Sequence, residues 1–403
     1  MCNKQHKPGY IFLLTLMIMS LATVLVSYVF TSGSIHVPFI KTMIDREKAK
    51  QLALGGIQIA ISQLSQEVDA SQDAKNEQAK PDQPDQSKKP KLSPTASSEA
   101  LAKGEDQANK KLFETVIPTL NRWQQFPLSQ EVDGVDGQIK ICVMSEEGKI
   151  NINALYDFKK HTYKGTQAQQ EIGKVLLKET FKSIGKEDLF EQFEKYLKDR
   201  SYRLDDVTEL MSIKGFEAFK NNIFYQPPPL QQMSEKSSQA AAAQFDQADA
   251  LESSNQASGT QKGKKKVYLT DIFTVWSGRF TVDPWLLSDS LCALLGVKRA
   301  ERGDIEGRKQ AVEQIAKEFK STFQFPADWK KYFEPLYGTD FKSLSKGVEY
   351  ILNTKFEPKI FSVLSYGSVG SVTLKMLAIL QREKTTKDKR IAYSVTIKKI
   401  YWL

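Results

Sequence analysis

Residues that could carry out chemistry are few in this chain of 403 residues. Of its three histidines, His6 lies at the extreme N-terminus and His36 lies beside a long apolar run, so neither suits a catalytic base or a metal cluster with His161. The sequence has no phosphate-binding loop, no G-x-S-x-G elbow and no paired-cysteine metal motif. We therefore expect no catalytic residues, no resident cofactor and no enzyme activity.

The cysteines Cys2, Cys142 and Cys292 leave two alternatives open. If the first residues are removed, Cys142 and Cys292 could pair in an oxidising compartment, provided that their Cα atoms come within roughly 6 Å. Two buried thiols are an equally good interpretation.

An uncharged apolar run extends from Tyr10 to Phe30. As a helix it would span about 30 Å, the thickness of the hydrocarbon core of a bilayer. Lys4 and Lys7 precede the run, so we expect the N-terminus in the cytoplasm and the rest exported, in the periplasm. A cleavable secretory signal would have a shorter apolar core and an A-x-A-like site. The run therefore predicts one transmembrane helix.

The Gly9-Tyr10 boundary resembles the cleavage site of a prepilin-type (class III) signal, with a basic leader, a glycine, an aromatic residue and then the apolar helix. The peptidase of such signals cuts on the cytoplasmic side, so the helix stays on the mature chain. The alternative is that these residues are only the polar edge of a signal anchor.

Leu14 would be the fifth residue of that mature chain. Most pilins and pseudopilins have a glutamate there, which is thought to meet the N-terminal amine of a neighbouring subunit. Without a partner, a carboxylate in hydrocarbon costs on the order of 2.5 kcal/mol or more. A subunit at a filament tip has no neighbour ahead of it, so Leu14 favours a tip position, although a plain anchor would not need the acid either.

The net charge of +9 would suit nucleic acid or anionic lipid. Much of the excess lies in lysines of polar stretches, such as Lys262 to Lys266, and we interpret it as solvation. We expect no nucleic-acid partner.

Several elements must position these residues. Pro38 should break or kink the N-terminal helix, and an amphipathic stripe then follows with a spacing of three and four residues. Ile139, Ile141 and Val143 alternate as in a half-buried strand. Residues 361–363, 372–380 and 393–397 predict a C-terminal antiparallel meander with charged loops, including REKTTKDKR.

Two phrases, GKININ at 148–153 and GRFTVD at 278–283, match in character. Each predicts a strand, a cap and a helix, with Asn153 and Asp283 as N-caps. Two polar stretches, 66–110 and 227–266, have too few large apolar groups to order themselves.

The phrases EEGKININAL, DDVTELMSIKGF, VYLTDIFTVWSGRFTVDPWLLSDSLCALLG and FSVLSYGSVGSVTLKMLAILQRE occur in that order. With the prepilin-like start, they resemble the general secretion pathway protein K family, the large minor pseudopilins of type II secretion systems. The resemblance covers most of the chain outside the two polar stretches.

The resemblance implies an α+β protein with a transmembrane N-terminal helix, a pseudopilin-like α/β body with an antiparallel C-terminal sheet, and a large inserted all-helical domain. It also implies a tip position in a periplasmic pseudopilus. Its partners there would be minor pseudopilins of the I and J types, the inner-membrane assembly platform and the prepilin peptidase. The expected divisions are 1–9 leader, 10–65 helix, 66–110 disordered insertion, 111–154 body, 155–226 helical domain, 227–266 linker, 267–358 strand and second helical part, and 359–403 C-terminal strands.

Family members usually have an acidic stretch with calcium ligands ahead of the TEL phrase. Here Asp199, Asp205 and Asp206 remain, but without the spacing of an oxygen cage. We expect helix-capping or surface carboxylates rather than a calcium site.

The phrase TELMSIKGF also resembles half of a DNA-binding helix-hairpin-helix, with one glycine, Gly215, where two are usual. Core packing of Leu210, Met211 and Ile213 is the favoured interpretation. A signal-anchored periplasmic protein of competence type, binding DNA through this hairpin, is the alternative function.

Overall fold

The computed structural model describes residues 8–65, 67–68, 109–183, 187–225, 267–295, 297, 305–318, 329–344, 352, 356, 358–387 and 390–403. The longer helices are α1 (Pro8–Leu64), α2 (Gln167–Ser183), α3 (Leu189–Lys198) and α4 (Ile305–Glu318). The strands are β1 (Glu67–Val68), β2 (Trp123–Leu128), β3 (Gly137–Ser145), β4 (Ile150–Asn151), β5 (Tyr156–Asp157), β6 (Thr162–Tyr163), β7 (Phe273–Thr274), β8 (Ile360–Val369), β9 (Val372–Lys387) and β10 (Arg390–Trp402). Short α-helices are Gln130–Asp133, Ile152–Leu155, Leu269–Ile272, Asp289–Leu294 and Phe333–Tyr337. Short 3-10 helices are Ile117–Thr119, Glu146–Gly148, Val207–Ser212, Phe216–Phe219, Trp329–Tyr332 and Phe341–Ser343.

A six-stranded antiparallel sheet has the strand order β1-β10-β9-β8-β3-β2. The predicted C-terminal antiparallel strands are therefore confirmed. The predicted charged loop REKTTKDKR is mostly strand, because β9 continues to Lys387 and β10 begins at Arg390. Glu383 and Lys384 are exposed in β9, and exposed strand positions accept charged side chains, so charge alone does not end a strand.

The C-terminal half of α1 packs across one face of this sheet. Ser365 Oγ of β8 donates a hydrogen bond to the Ala53 carbonyl oxygen at 2.7 Å. A Cβ atom at Gly367 would lie only 2.1 Å from the Ala49 carbonyl oxygen, so the backbones of α1 and β8 approach closely. The buried apolar residues on the two sides of this helix–sheet contact are Ala53, Ile57, Ala60 and Leu64 of α1 and Ile139, Ile141 and Val143 of β3.

The predicted break at Pro38 is wrong, because α1 continues through it as one helix. The helix ends at Leu64, where the buried Arg382 of β9 donates from Nε to the Leu64 carbonyl oxygen at 3.2 Å. The same guanidinium group lies 3.4 Å from the centroid of the Tyr393 ring. A cation at a helix C-terminus satisfies an otherwise unpaired carbonyl group and complements the helix dipole.

Residues 146–359 are inserted between β3 and β8, which are neighbours in the sheet. Part of this insertion covers the second face of the sheet, where Tyr225 packs with residues of β3, β8 and β9. Its own core is aromatic. The centroid of the Phe193 ring in α3 lies 5.4 Å from that of Phe181 in α2 and 6.0 Å from that of Phe273 in β7. The insertion is not purely helical, because β4 pairs with β7 and β5 pairs with β6.

The second polar stretch, 227–266, lies outside the described residues, as does most of 66–110. Four residues of the first stretch are described, Glu67, Val68, Asn109 and Lys110, and the last two are helical. Glu67 and Val68 form β1 and pair with Ala392 and Ile391 of β10.

Candidate functional site

The N-terminal half of α1 leaves its apolar side chains uncovered. Every described side chain from Tyr10 to Tyr28 is exposed, including Leu14 at 45%. None of the helices in the described part of the chain combines the length and the hydropathy needed to cross a membrane. Residues 1–7 lie outside the described residues, so the leader and cleavage at Gly9-Tyr10 stay predictions.

The hydroxyl groups in this half of α1 are satisfied within the helix. Thr15, Ser20 and Thr23 each donate a hydrogen bond to a carbonyl oxygen three or four residues earlier, at 2.8, 2.9 and 2.8 Å. Internal pairing of this kind is what polar groups need where water is absent. The half of α1 that the sheet does not cover therefore presents an apolar surface, and the hydroxyl groups at these three positions are all hydrogen-bonded within the helix.

A buried polar junction joins the sheet to the insertion directly after β3. Lys149 forms an ion pair with Glu146, and its Nζ atom also lies 3.3 Å from Ser362 Oγ of β8. The second oxygen of Glu146 accepts a hydrogen bond from Thr274 of β7. All four residues are buried, so the two charges compensate each other between β8 and β7.

Glu147, beside this pair, forms hydrogen bonds with the backbone at the start of β8. Its Oε1 atom accepts hydrogen bonds from the backbone N–H groups of Lys359 and Ile360, both at 2.9 Å, and its Oε2 atom accepts one from Ser145 Oγ at 3.0 Å. Burial raises the pKa of Glu147 to about 7, against the lowering effect of these hydrogen bonds.

Residues at or beside the ends of the two matching phrases contact each other in this junction. Asp283 N–H donates to the Glu147 carbonyl oxygen at 2.9 Å, and Ser288 N–H donates to the Gly148 carbonyl oxygen at 3.1 Å. A Cβ atom at Gly148 would lie 1.7 Å from the Leu286 carbonyl oxygen, so only glycine fits there. The start of the first phrase is therefore packed against the segment from Asp283 to Ser288.

Neither predicted cap residue caps a helix. The N-cap of Ile152–Leu155 is Asn151, whose Oδ1 atom accepts from Ala154 N–H at 3.0 Å. Asn153 lies inside that helix and exchanges two hydrogen bonds with the Leu204 backbone, at 2.7 and 2.9 Å. The helix begins two residues earlier than expected because β4 contains only two residues.

Asp283 is followed by a turn rather than a helix. Its Oδ1 atom accepts from Trp285 N–H at 2.9 Å. The next helix begins at Asp289, with Ser288 as its N-cap. Burial raises the pKa of Asp283, and the nearby Glu147 charge raises it further. Burial also raises the pKa of Asp271, to about 6, in the same junction.

Cys142 and Cys292 are not joined by a disulfide bond, so the pairing alternative is wrong. Both thiols are buried. Cys142 lies in the small cluster on the second face of the sheet, whereas Cys292 belongs to the main core.

Of the three aspartates considered as calcium ligands, Asp206 makes side-chain contacts with β10. Asp206 Oδ2 accepts a hydrogen bond from Lys399 Nζ at 2.8 Å and another from Tyr401. Burial alone would raise the pKa of Asp206, but these hydrogen bonds hold it below its ordinary value. Asp199 and Asp205 are exposed. Within the described ranges, no three His, Cys, Asp or Glu side chains are grouped as metal ligands.

The segment around Gly215 forms two short 3-10 helices rather than half of a helix-hairpin-helix. Leu210 and Ile213 are buried, as the core-packing interpretation expects, and Met211 is half-buried. The Gly215 N–H group donates to Glu217 Oε2 at 2.6 Å. The Gly215 N–H group is therefore already paired with a carboxylate of its own chain.

No protein-family model matches this chain, and no curated protein matches it. A solved structure, that of the GspK-GspI-GspJ complex from the type 2 secretion system of enterotoxigenic Escherichia coli, is similar at 12% sequence identity and a TM-score of 0.34. The similarity covers 76% of this chain and 98% of that chain. At this level of similarity, inferences about this chain rest on its own residues and contacts.

Proposed function

We propose that this chain is a minor pseudopilin at the tip of a type II secretion pseudopilus, without enzyme activity. One observation carries the proposal. A single helix, α1, divides into an apolar N-terminal half that the described residues leave uncovered and a C-terminal half packed across an antiparallel sheet. The ordered phrases of the sequence, and a prepilin-like start with Leu14 at the fifth mature position, support the same role.

In this proposal, the uncovered apolar run from Tyr10 to Phe30 associates with the inner membrane and the body lies in the periplasm. The chain would act mechanically, since binding energy between helices and sheet surfaces would start filament assembly. Its partners would be I-type and J-type minor pseudopilins, the assembly platform and the prepilin peptidase. DNA binding has no such support, because the Gly215 N–H group already donates a hydrogen bond to Glu217.

The test is the intact mass and the N-terminal sequence of the full chain extracted from membranes that contain prepilin peptidase. We expect a mature chain that begins at Tyr10. Gly9→Val should block cleavage, whereas the control Gly33→Val should leave it unchanged. A wild-type chain that begins at Met1, or that is cut near Ser34, would refute prepilin processing.

Assembly is tested by co-purification with tagged I-type and J-type subunits. We expect both to be recovered with the processed chain. Salt-sensitive retention on DNA without these subunits would favour the competence-type alternative instead.

A further inference from the structure

Within the described residues, the second face of the sheet is covered at one end and open at the other. Where Tyr225 of the insertion packs on this face, the strand residues Cys142, Leu364 and Leu377 are buried. Side chains alternate between the two faces of a strand, so positions two residues away lie on the same face. Nearer the β8–β9 turn, this face carries polar side chains that are exposed or half-buried, namely Gln125, Gln138, Lys140, Tyr366, Thr373 and Lys375.

The register of the sheet places two lysines on either side of a tyrosine, in one row across three strands. Lys140 of β3 lies opposite Tyr366 of β8, and Tyr366 lies opposite Lys375 of β9. Neighbouring strands are about 4.8 Å apart, so the Cα atoms of the two lysines are about 10 Å apart. Lys375 Nζ lies 5.0 Å from the centroid of the Tyr366 ring, and that centroid lies 4.9 Å from the ring of Trp123. Because lysine side chains are long and flexible, both ammonium groups can reach one ligand above this row.

The strands around this row supply no acidic counter-charge. β2, β3 and β8 contain no aspartate or glutamate, and the first one in β9 is Glu383, far along the strand from Lys375. The acidic residues nearest to Lys140 in the sequence, Asp133 and Asp136, lie in the β2–β3 turn rather than in the row. Among the described residues, neither lysine of the row forms an ion pair. Two ammonium groups without counter-charges repel each other, so an anion placed between them would be stabilised.

Charge decides which class of anion suits the row. A phosphate monoester carries a charge of about −1.5 to −2 near neutral pH, which matches the two ammonium groups, whereas a carboxylate or a phosphodiester carries a single negative charge. Lysine binds phosphate as a point charge, and arginine is the residue whose planar fork fits a carboxylate. The row contains lysines and no arginine, so a phosphate monoester is the better match.

The next row of the same face contains neutral polar groups that suit sugar hydroxyls. Gln138 of β3 lies opposite Ser368 of β8, and Ser368 lies opposite Thr373 of β9. The Ser368 and Thr373 hydroxyl groups share a hydrogen bond at 3.0 Å, and the Gln138 amide donates to Gln125 Oε1 at 3.4 Å. Hydroxyl and amide groups can make more than one hydrogen bond each, so both pairs keep capacity for a ligand. The two rows are about 7 Å apart along the strands, a distance that one sugar residue can bridge.

We propose that this open end of the sheet binds a phosphorylated sugar, with its phosphate group between Lys140 and Lys375 and its hydroxyl groups on Gln138 and Thr373. The site shares no residue with the polar junction. The proposal goes beyond the proposed function and depends neither on the apolar run of α1 nor on filament assembly, because it rests only on the register and the charges of β3, β8 and β9.

The test is calorimetric titration of the full chain, in micelles of a zwitterionic detergent, with glucose 6-phosphate at pH 7.5 and low salt. We expect saturable binding with a Kd of about 1 mM or lower. Lys140→Met and Lys375→Met should each weaken binding about tenfold or more, because each removes a charge-assisted hydrogen bond. Lys140→Arg keeps the charge and should retain most of the affinity. The control Lys398→Met, at an exposed lysine of β10 in the same sheet, should leave the affinity unchanged.

Parallel titrations separate a sugar phosphate from other ligands. Thr373→Val should weaken binding of glucose 6-phosphate but not of inorganic phosphate, because it removes only a sugar contact. The proposal is overturned if inorganic phosphate or plain glucose binds as tightly as glucose 6-phosphate. It is also overturned if a peptide of aspartates and glutamates, or a vesicle containing phosphatidic acid, binds more tightly, since the face would then serve a protein or a lipid. Absence of saturable binding, or binding that neither lysine substitution weakens, overturns it as well.

Discussion

Replacing Glu147 by glutamine should flatten the dependence of the unfolding free energy on pH. Glu147 is 7% exposed, and burial raises its pKa from 4.5 to about 7. The folded protein therefore holds this proton more tightly than the unfolded chain does. The resulting stabilisation is fully present below the unfolded pKa and is lost as pH rises through the folded pKa. This difference between the unfolded and folded pKa corresponds to a loss of about 3 kcal/mol.

The measurement is denaturant unfolding of the full chain in detergent micelles, followed by tryptophan fluorescence from pH 4.5 to pH 8. Across this range, the wild type should lose about 3 kcal/mol more stability than Glu147→Gln does. Asp271 remains in both proteins, so its contribution largely cancels, whereas the pKa of Asp283 should fall in Glu147→Gln because the charge that raises it is removed. The exposed Glu131 provides the control Glu131→Gln, which should follow the wild-type curve.

Parallel curves for the wild type and Glu147→Gln would refute the reasoning. Such a result would mean that the hydrogen bonds from Lys359, Ile360 and Ser145 compensate fully for burial of the charge. A wild-type curve that rises with pH more steeply than that of the variant would refute even the sign of the shift.

Two further changes test how α1 is held on the sheet. Gly367→Ala should destabilise the fold by about 3 kcal/mol or more, because the new methyl group would overlap the backbone of α1. The control Gly278→Ala should be nearly neutral in the same unfolding assay, because no atom lies within 4 Å of the new Cβ. Arg382→Met should cost about 2 to 4 kcal/mol by leaving the Leu64 carbonyl oxygen without its cation. The control is Lys398→Met, at an exposed lysine whose ion pair with Glu383 has an N···O distance of 3.7 Å. It should cost less than about 1 kcal/mol. Equal losses of stability for Arg382→Met and Lys398→Met would contradict this account.

Period-two alternation predicted the strands well where one face of the strand is buried. Ile139, Ile141 and Val143 all face α1 in β3, and the C-terminal strands pair as expected. These patterns are local and repeat over several residues, so the sequence alone is enough to show them. The charged end of β9 was missed because exposed strand positions have no such pattern.

The caps and the junction could not be predicted as well. Asn151 and Asn153 are both good cap residues, and only the length of β4 decides that Asn151 is used. Glu147 and Lys149 look like surface charges in the sequence, because their partners Ile360 and Ser362 are more than 200 positions away. Contacts at that separation leave no periodic signal in the sequence. The closely spaced opposite charges of Glu146 and Lys149 beside an apolar phrase could nevertheless have indicated a buried ion pair.

The insertion between β3 and β8 also constrains the order in which the molecule can be completed. Ala53 of α1 receives its hydrogen bond from Ser365, 312 positions later. Until β8 has been synthesised, β2 and β3 are the longer strands of the described sheet that are available to cover the sheet-facing side of α1. Closing so long a loop is entropically slow and leaves apolar surface in contact with solvent meanwhile. Folding of this chain should therefore finish only after nearly all of it has been synthesised, and holding chaperones would have most effect during that interval.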